Sequence, residues 1–268
     1  MHETAYAKIN LALHVRGRMA DSYHRIETVF AFAEDGDRLG VALAPDLTLE
    51  IIGPFAADLA GKGDNLVLRA ARALRDRYGV AAGARLILDK RLPVAAGIGG
   101  GSADAAAALR LLARCWHVDA GATDLLDIAA RLGADVPACL LSRTARGEGK
   151  GDDLEPLPAE ELAGTPLLLV NPGRSLSTAA VFKAWDGHDR GALGQWREGR
   201  NDLEKPAIGL VPEIADVMTA LRDAEFARMS GSGATCLGLY ATLEARDRAA
   251  ERLAAAHPDW WTLASRLR

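Results

Sequence analysis

The sequence predicts an α+β protein of two domains, on the basis of three observations. Strand-like runs fill residues 5–52, and helical and strand-like segments then alternate to the end of the chain. Residues 147–158 form a polar stretch rich in Gly and Pro, as is usual at a domain boundary. The mixed pattern repeats after this stretch. We therefore predict an N-terminal domain at residues 1–155 and a C-terminal domain at residues 156–268, each with strands and with helices packed on one side.

The first strand is predicted at residues 5–15, where apolar side chains alternate with other residues. This period of two is typical of a half-buried strand. Lys8 and Asn10 share the face opposite the apolar set, so the two polar groups project to the same side. Outside a binding site, a lysine in such a strand usually faces solvent. Three more strands are predicted at residues 28–32, 38–43 and 47–52, between Gly, Asp and Pro residues.

Helical spacing begins after Asp64 and Asn65. Asp64 is the predicted N-cap of this helix and Gly79 its predicted end, because Asp suits the first position and Gly the last. The next predicted elements are a strand at residues 85–89, a helix from Ser102 and a helix from Thr123 to Gly133. In the second half the predicted strands are residues 166–170, 226–230 and 235–241, and the predicted helices are residues 177–185, 212–224 and 242–257.

Composition and charge narrow the range of functions. The chain of 268 residues is 49% hydrophobic and 25% charged, which is ordinary for a soluble protein. Its net charge of −4 provides no basic surface for nucleic acid and no polybasic membrane patch. Residues 1–4 do not begin a signal peptide, and no apolar run approaches the ~18 residues that span a membrane. We predict a cytoplasmic protein that binds neither nucleic acid nor membrane.

The three cysteines are far apart and lie beside apolar residues: Cys115, Cys139 and Cys236. Their spacing fits neither a disulfide framework nor a set of metal ligands. We predict three buried free thiols, none of them a metal ligand.

The most informative segment is a glycine-rich loop that reads Pro93-Val94-Ala95-Ala96-Gly97-Ile98-Gly99-Gly100-Gly101-Ser102-Ala103. Its four glycines remove side chains where a polyanion would approach the backbone. The helical stretch that follows supplies a helix N-terminus, whose free N–H groups and dipole suit a phosphate. Ser102 is a candidate to cap that helix, to contact a phosphate oxygen or to help hold Mg²⁺. The alternative is a flexible turn that only joins a strand to a helix.

Two better-known glycine motifs do not fit this loop. A Walker loop ends in Gly-Lys-Ser/Thr, and no Lys follows these glycines. The dinucleotide-binding fingerprint has Gly at its last position, where this chain has Ser102 when the count starts at Gly97.

The loop resembles the ATP loop of the GHMP kinases, a family named for galactokinase, homoserine kinase, mevalonate kinase and phosphomevalonate kinase. Two other segments resemble motifs of the same family. Residues 6–11, Tyr-Ala-Lys-Ile-Asn-Leu, look like its N-terminal strand, and residues 229–234, Met-Ser-Gly-Ser-Gly-Ala, look like its C-terminal glycine motif. The three motifs occur in the family's order over nearly the whole chain, which makes the resemblance specific.

The resemblance implies a small-molecule kinase that uses ATP and Mg²⁺ to phosphorylate a hydroxyl group. It also implies an N-terminal ribosomal-protein-S5-like α/β domain and a C-terminal ferredoxin-like α+β domain, with the active site in the cleft between them. Residues 21–24 and 133–137 resemble members that act on a cytidine diphosphate sugar alcohol. The alternatives are a homoserine- or mevalonate-type kinase and a nucleotide-binding protein without turnover. The chain would be a monomer or a homodimer.

By resemblance, Asp135 is the catalytic base and Lys8 the cation beside it. A carboxylate with an ordinary pKa of ~3.9 cannot deprotonate an alcohol in advance. It can orient the hydroxyl and accept its proton late, while the lysine stabilises the developing negative charge. Without the resemblance, Asp135 would more often be the N-cap of a turn or helix.

The resemblance also assigns the binding residues. Asn65 and Lys90 are predicted near the adenine, although a solvated strand end is an equally good interpretation for Lys90. Tyr23 is predicted to stack on the cytosine and His24 to hydrogen-bond its edge. Asn10 is predicted to contact the sugar alcohol or the diphosphate. A Tyr-His pair in a turn is otherwise more often surface packing.

Three positions depart from the family pattern. Tyr6 replaces a Pro, and Asp104 stands where some members have Asn. Asp104 would repel ATP from the first turn of the phosphate-binding helix unless it turns away or meets Mg²⁺. Residues 173–175 lack the aromatic that often forms a second wall around the cytosine, although Arg174 offers a planar guanidinium.

Overall fold

The computed structural model describes residues 1–61, 63, 65–158 and 162–268. These residues form two compact units. Unit 1 comprises Met1–Ala7, Asp35–Val94 and Gly99–Ser142, and unit 2 comprises Lys8–Glu34, Ala95–Ile98 and Arg143–Arg268. The described strands are β1 (His2–Arg18), β2 (His24–Ala44), β3 (Leu47–Ile52), β4 (Gly83–Asp89), β5 (Ala145–Glu148), β6 (Asp153–Pro156), β7 (Pro166–Asn171), β8 (Phe226–Met229), β9 (Cys236–Leu239) and β10 (Trp261–Arg266). The described helices are α1 (Leu66–Tyr78), α2 (Gly100–Cys115), α3 (Ala122–Leu132), α4 (Val136–Leu141), α5 (Thr178–Ala184), α6 (Glu204–Leu210), α7 (Glu213–Ala220) and α8 (Leu243–Ala256).

In unit 1, the helices α1 to α4 pack with four strand segments, which are β3, β4 and parts of β1 and β2. β4 pairs in parallel with β3 and antiparallel with residues 38–44 of β2. α2 packs against α1 and α4, and most of its side chains are buried. Many of them are alanines, whose small size allows close packing of neighbouring helices without loss of helix propensity. The first turn of this buried helix is the predicted phosphate site.

Unit 2 contains an antiparallel sheet in the order β10–β7–β9–β8. A core of buried apolar residues from β7, β8 and β9 and from α5 to α8 stabilises it. In the same unit, residues 28–30 of β2 pair with β5, and β5 pairs with β6. This β5–β6 hairpin lies where the sequence predicted a boundary between residues 155 and 156, and that boundary remains a prediction.

Several sequence-based expectations are wrong in detail. The strands predicted at residues 28–32 and 38–43 belong to one continuous strand, β2. Its Asp37, which looked like turn punctuation, is buried and hydrogen-bonded within the unit. β1 is not half-buried, because Lys8 and Asn10 on its polar face are only 3% and 2% exposed. The solvent-facing interpretation of Lys8 is therefore also wrong.

The ends of α1 and α2 agree only in part with the predicted capping residues. α1 is capped by Asn65, whose side-chain oxygen accepts from the Val67 N–H at 2.8 Å, and it ends at Gly79 in the left-handed conformation. The predicted cap Asp64 lies outside the described residues. α2 starts two residues earlier than predicted, with Gly99 at the N-cap position. Ser102 therefore lies inside the first turn and does not cap the helix.

Two further predictions concern the cysteines and membrane-spanning helices. The three cysteines are free and buried, which confirms the prediction. In the described part of the chain, every helix is too short or too polar to cross a bilayer.

Candidate active site

In unit 2, the predicted residues Lys8 and Asn10 are directly connected. The Lys8 ammonium donates to the Asn10 side-chain oxygen at 3.1 Å. The Asn10 amide donates in turn to the Thr28 hydroxyl at 2.8 Å, and that hydroxyl donates to the Ala12 carbonyl at 2.6 Å. This chain of bonds fixes which side of the amide faces the lysine. The shared face predicted for Lys8 and Asn10 is confirmed.

The second glycine segment, residues 229–234, meets the same strand. The Asn10 N–H donates to the Ser230 hydroxyl at 3.2 Å, and this hydroxyl donates to the Gly97 carbonyl at 3.0 Å. A buried serine thus joins β1 to the first part of the glycine loop. The segment is a turn between β8 and β9, and through Ser230 it also contacts the predicted loop.

The loop residues 95–98 are held by main-chain contacts. The Lys8 N–H donates to the Ile98 carbonyl at 3.0 Å, and the Thr235 N–H donates to the Ala96 carbonyl at 3.2 Å. Gly97 has a positive φ of 76°. A Cβ there would lie 2.6 Å from the carbonyl oxygens of Ser230 and Gly233. Only glycine fits this position, for steric as well as conformational reasons.

In unit 1, the loop leads into the N-terminus of α2. Gly99 occupies the N-cap with a positive φ of 61°, and its carbonyl accepts from Ala103 at 2.8 Å. The first N–H groups of a helix have no partner inside the helix, and its dipole is positive at this end. Gly100 and Gly101 keep this turn free of side chains. The geometry suits a phosphate group, and phosphate contacts remain a prediction for residues 93–103.

Lys90 lies at the end of β4, and its side chain is only 2% exposed. The interpretation of Lys90 as a solvated strand end is wrong. Its ammonium donates to Asp37 at 2.5 Å and to Asp104 at 2.7 Å. Burial alone would lower the pKa of Lys90, but the charges of Asp104 and Asp37 outweigh burial and raise it. Burial raises the pKa of Asp104 to about 7 in spite of the Lys90 charge.

The predicted base Asp135 stands at the N-cap position of α4, in the turn after Gly133 ends α3. Its carbonyl accepts from the Cys139 N–H at 3.1 Å, but its carboxylate makes no capping bond to the helix. The alternative interpretation of Asp135 as an N-cap is therefore correct for its position, although its carboxylate does not cap the helix. At the other end of α4, the Arg110 guanidinium donates to the carbonyls of Cys139 and Leu140 at 2.8 and 3.1 Å. Arg110 thereby ties α4 to α2.

The predicted cytosine residues lie at the start of β2. Tyr23 is 55% exposed, so its ring is open to a ligand. The Lys150 ammonium lies 4.4 Å from the centre of that ring. His24 stacks on Phe182 at 4.8 Å and meets Trp185 edge-on at 5.6 Å. Burial, with a smaller effect of the Arg18 charge, lowers the pKa of His24, which keeps the imidazole neutral near pH 7.

Sequence reasoning missed Phe182 and Lys150 beside the two predicted cytosine residues. The second aromatic was expected at residues 173–175, whereas Phe182 lies on α5. Arg174, the suggested substitute, forms an exposed ion pair with Glu213 at 2.8 Å. An apolar residue on a short amphipathic helix is usually assigned to the core. The signal that was available is the coincidence of Phe182 and Trp185 on one helical face.

The described residues contain no group of three or more His, Cys, Asp or Glu side chains placed to hold a metal ion. Mg²⁺ in phosphoryl-transfer sites usually binds through one or two carboxylates together with substrate phosphates and water. Such a site needs no preformed set of protein ligands. The structure is therefore compatible with Mg²⁺ that arrives with ATP.

Comparison with known proteins gives matches along the whole chain. Residues 65–143 match the family description "GHMP kinases N terminal domain" and residues 179–259 match "GHMP kinases C terminal". A curated relative from Rhizorhabdus wittichii, named 4-diphosphocytidyl-2-C-methyl-D-erythritol kinase, is 55% identical over 100% of this chain and 96% of its own length. A relative of the same name from Sphingopyxis alaskensis is 50% identical over 100% of this chain and 99% of its own length.

A solved structure extends the agreement to three dimensions. The crystal structure of a 4-(cytidine 5'-diphospho)-2C-methyl-D-erythritol kinase is 35% identical, covers 100% of this chain and 99% of its own chain, and superposes with a TM-score of 0.85. The two-domain fold predicted from the three motifs is confirmed. The chain belongs to the GHMP kinase family.

Proposed function

We propose that this chain transfers the γ-phosphoryl group of ATP to the 2-hydroxyl of 4-diphosphocytidyl-2-C-methyl-D-erythritol, giving the 2-phosphate and ADP, in the non-mevalonate route to isoprenoid precursors. The observation that carries this proposal is the similarity over the full length to kinases of that name, at 55% and 50% identity. A homoserine- or mevalonate-type activity has no comparable support.

Two residues perform the chemistry in this proposal. Asp135 orients the attacking hydroxyl and accepts its proton late in the transfer, because an ordinary carboxylate is too weak a base to remove it earlier. Lys8 stabilises the negative charge that develops on the transferred phosphoryl group. The hydrogen bond from the Lys8 ammonium to Asn10 supports this role, because it holds the lysine in one orientation.

ATP is bound in this proposal by residues 93–103 and Asn65, and Lys90 lies beside this loop with its ammonium buried. The backbone N–H groups at the start of α2 contact the phosphates, and Mg²⁺ bound together with ATP would neutralise part of their charge. Asn65 starts α1, and Lys90 follows β4. The start of α2 at Gly100, directly after the left-handed Gly99, supports contact of the phosphates with main-chain N–H groups.

The cytidine end of the substrate is recognised by an aromatic group. Tyr23 stacks on the cytosine, and base–aromatic stacking contributes about 1–3 kcal/mol in nucleic-acid binders. A neutral His24 both donates and accepts a hydrogen bond, which matches the mixed donor and acceptor edge of cytosine. Phe182, which packs on His24, provides the second aromatic surface, and Asn10 contacts the diphosphate or the sugar alcohol.

We infer a cytoplasmic enzyme with a small-molecule substrate, acting as a monomer or a homodimer without nucleic acid or membrane partners. The net charge of −4 supports this inference.

The direct test measures ADP release by the purified chain with ATP, Mg²⁺ and one of three alcohols. We expect turnover with 4-diphosphocytidyl-2-C-methyl-D-erythritol and none with homoserine or mevalonate. Turnover of homoserine alone would overturn the proposal. ATP binding without turnover of any of the three alcohols would favour a non-catalytic nucleotide-binding protein.

Asp135→Asn tests the mechanism. We expect kcat to fall roughly 10²- to 10⁴-fold with unchanged ATP affinity, because the amide cannot accept the proton. Asp127→Asn is the matched control, since Asp127 is an exposed carboxylate on α3 of the same unit. An unchanged kcat for Asp135→Asn would remove this residue from the mechanism.

A further inference from the structure

We propose that Lys90 is a positioning residue for ATP: its ammonium, held between Asp37 and Asp104, fixes the first turn of α2 and with it the N–H groups that bind phosphate. The inference rests on the proposed function and assigns the lysine side chain a role through α2, without contact between its ammonium and the nucleotide. Three observations in unit 1 carry it.

The first observation is that Asp37 is a rigid anchor. One of its carboxylate oxygens accepts from the N–H groups of Arg91 and Leu92 at 2.6 and 2.8 Å. The other accepts from Lys90 at 2.5 Å. Asp37 is fully buried in the middle of β2. Both of its oxygens are therefore bonded, and the carboxylate holds the start of the glycine loop as well as the lysine.

The second observation is that Asp104 depends on Lys90. One of its oxygens accepts from Lys90 at 2.7 Å. Its other oxygen is buried and has no hydrogen-bond partner among the residues that the structure describes. A buried carboxylate is costly unless it is paired. Because Asp104 lies in the first turns of α2, its bond to Lys90 ties the beginning of the helix to the end of β4.

The third observation is that Gly100, which has no side chain, leaves space for Lys90 and its two carboxylates. A Cβ on Gly100 would lie 3.1 Å from the Lys90 ammonium nitrogen and 3.7 Å from an Asp37 carboxylate oxygen. A Cβ on Gly101 would meet only the Leu66 side chain, at the ordinary distance of 3.6 Å. Gly100 therefore faces the buried charges. This arrangement also explains how Asp104 avoids repelling ATP, because its carboxylate points into the protein and pairs with Lys90.

The test is a double variant, Lys90→Met with Asp104→Leu, which removes one positive and one negative charge and preserves side-chain size. Asp37 keeps its two backbone partners but loses its ion pair with Lys90, so the free energy of unfolding of each variant is measured beside its KM values. We expect the KM for ATP to rise roughly 10- to 100-fold, as for a small misplacement of binding groups. We expect kcat and the KM for the alcohol to change less than about threefold. A role confined to stability would not separate the two KM values in this way.

The matched control is Arg85→Met with Glu50→Leu. This pair joins Arg85 on β4 to Glu50 on β3 at 2.8 Å, but both of its side chains are more than half exposed. We expect removal of this surface pair to leave the KM for ATP and the KM for the alcohol unchanged. Calorimetric titration of each variant with ADP measures nucleotide affinity without turnover. If the unmodified protein binds no ADP, the proposed function fails; if it binds ADP and the double variant binds it equally, the positioning role fails.

A single variant, Asp104→Leu, distinguishes positioning from charge and serves as well if the double variant does not fold. It leaves the Lys90–Asp37 pair intact and removes only the tie to α2. Positioning predicts a higher KM for ATP. Removal of a negative charge beneath the phosphates would by itself lower that KM, and a lower value would overturn the inference.

Discussion

The two parts of the glycine loop are held by different interactions. Residues 95–98 are held in unit 2 by backbone hydrogen bonds and by the contact of Gly97 with main-chain oxygens. Residues 99–101 begin α2 in unit 1, beside the buried Lys90 and its two carboxylates. The first part thus depends on the absence of a side chain, and the second on a group of paired charges.

This difference indicates how each part responds to substitution. Main-chain atoms around Gly97 cannot withdraw without breaking their own hydrogen bonds, so an added atom there reduces the stability of the fold. Lys90 ends in a flexible side chain, which shifts by a few tenths of an ångström at lower cost. Substitutions near Lys90 should therefore alter affinity and stability more gradually.

Gly97→Ala should have the largest effect on stability. The added Cβ would lie 2.6 Å from two carbonyl oxygens, in a residue with a φ of 76°. The left-handed conformation costs about 1–2 kcal/mol, and overpacking typically adds 1–3 kcal/mol. We expect the free energy of unfolding, measured with urea, to fall by about 2–5 kcal/mol.

The control for this variant is Gly209→Ala on α6. No atom lies within 4 Å of the Cβ position of Gly209, and its φ is not positive. Alanine should stabilise this helix by up to ~1 kcal/mol. An equal loss of stability in both variants would contradict the importance of close backbone approach at Gly97.

Ser230→Ala should have the next largest effect. The fully buried hydroxyl accepts from the Asn10 N–H and donates to the Gly97 carbonyl. Alanine leaves both groups without this partner, which costs about 1–3 kcal/mol. Ser232→Ala is the control, because the Ser232 hydroxyl pairs with another hydroxyl, that of Thr178, at 2.8 Å. Equal melting temperatures for the two variants would remove Ser230 as the link between β1 and the loop.

Gly100→Ala and Gly101→Ala form a matched pair in the other part of the loop. Both glycines lie in the first turn of α2, so alanine improves helix propensity equally at both. Only the Gly100 variant pushes against the Lys90 ammonium, at 3.1 Å. We expect it to be less stable than Gly101→Ala by about 1–2 kcal/mol. Equal stabilities would mean that the buried charges tolerate displacement freely.

Much of this site was predictable because it is encoded in local sequence. The glycine run before a helical stretch predicted the turn at α2, and alternation placed Lys8 and Asn10 on one face. The prediction of Ser102 as the N-cap was wrong, because α2 starts directly after Gly99, which has a left-handed conformation. Single-residue conformations of glycine are not visible in a pattern of apolar residues.

The charged group around Lys90 was not predictable. Asp37 is 53 residues from Lys90 in the chain, and Asp104 is 14 residues from it. A pattern read along the chain contains no information on such pairs, and each of the three residues taken alone is most often exposed. For the same reason, β2 was divided at Asp37, since a buried aspartate and a turn aspartate look alike in sequence.

His24 represents a third kind of interaction, a titratable ring held by aromatic packing, and it gives the smallest expected effect. Burial lowers the pKa of His24 from 6.5, so the unfolded chain binds a proton at a higher pH than the folded chain. The contribution of His24 to the free energy of unfolding is therefore fully present above about pH 6.5, and it decreases as the pH falls below that value. Protonation also removes the acceptor nitrogen. We expect the KM for the cytidine substrate to be constant near pH 7 and to rise ~2- to 10-fold when the pH falls below the pKa of His24.

His24→Gln should make this KM independent of pH, since an amide donates and accepts without titrating. Burial also lowers the pKa of His14, which is hydrogen-bonded to the Gly191 carbonyl and the Arg200 N–H. His14 therefore contributes acid sensitivity of the same sign to stability, and His24→Gln should reduce that sensitivity without abolishing it. The KM separates the two histidines, because only His24 faces the proposed cytosine. If the KM of His24→Gln still rises in acid, the titrating group that governs substrate binding lies elsewhere.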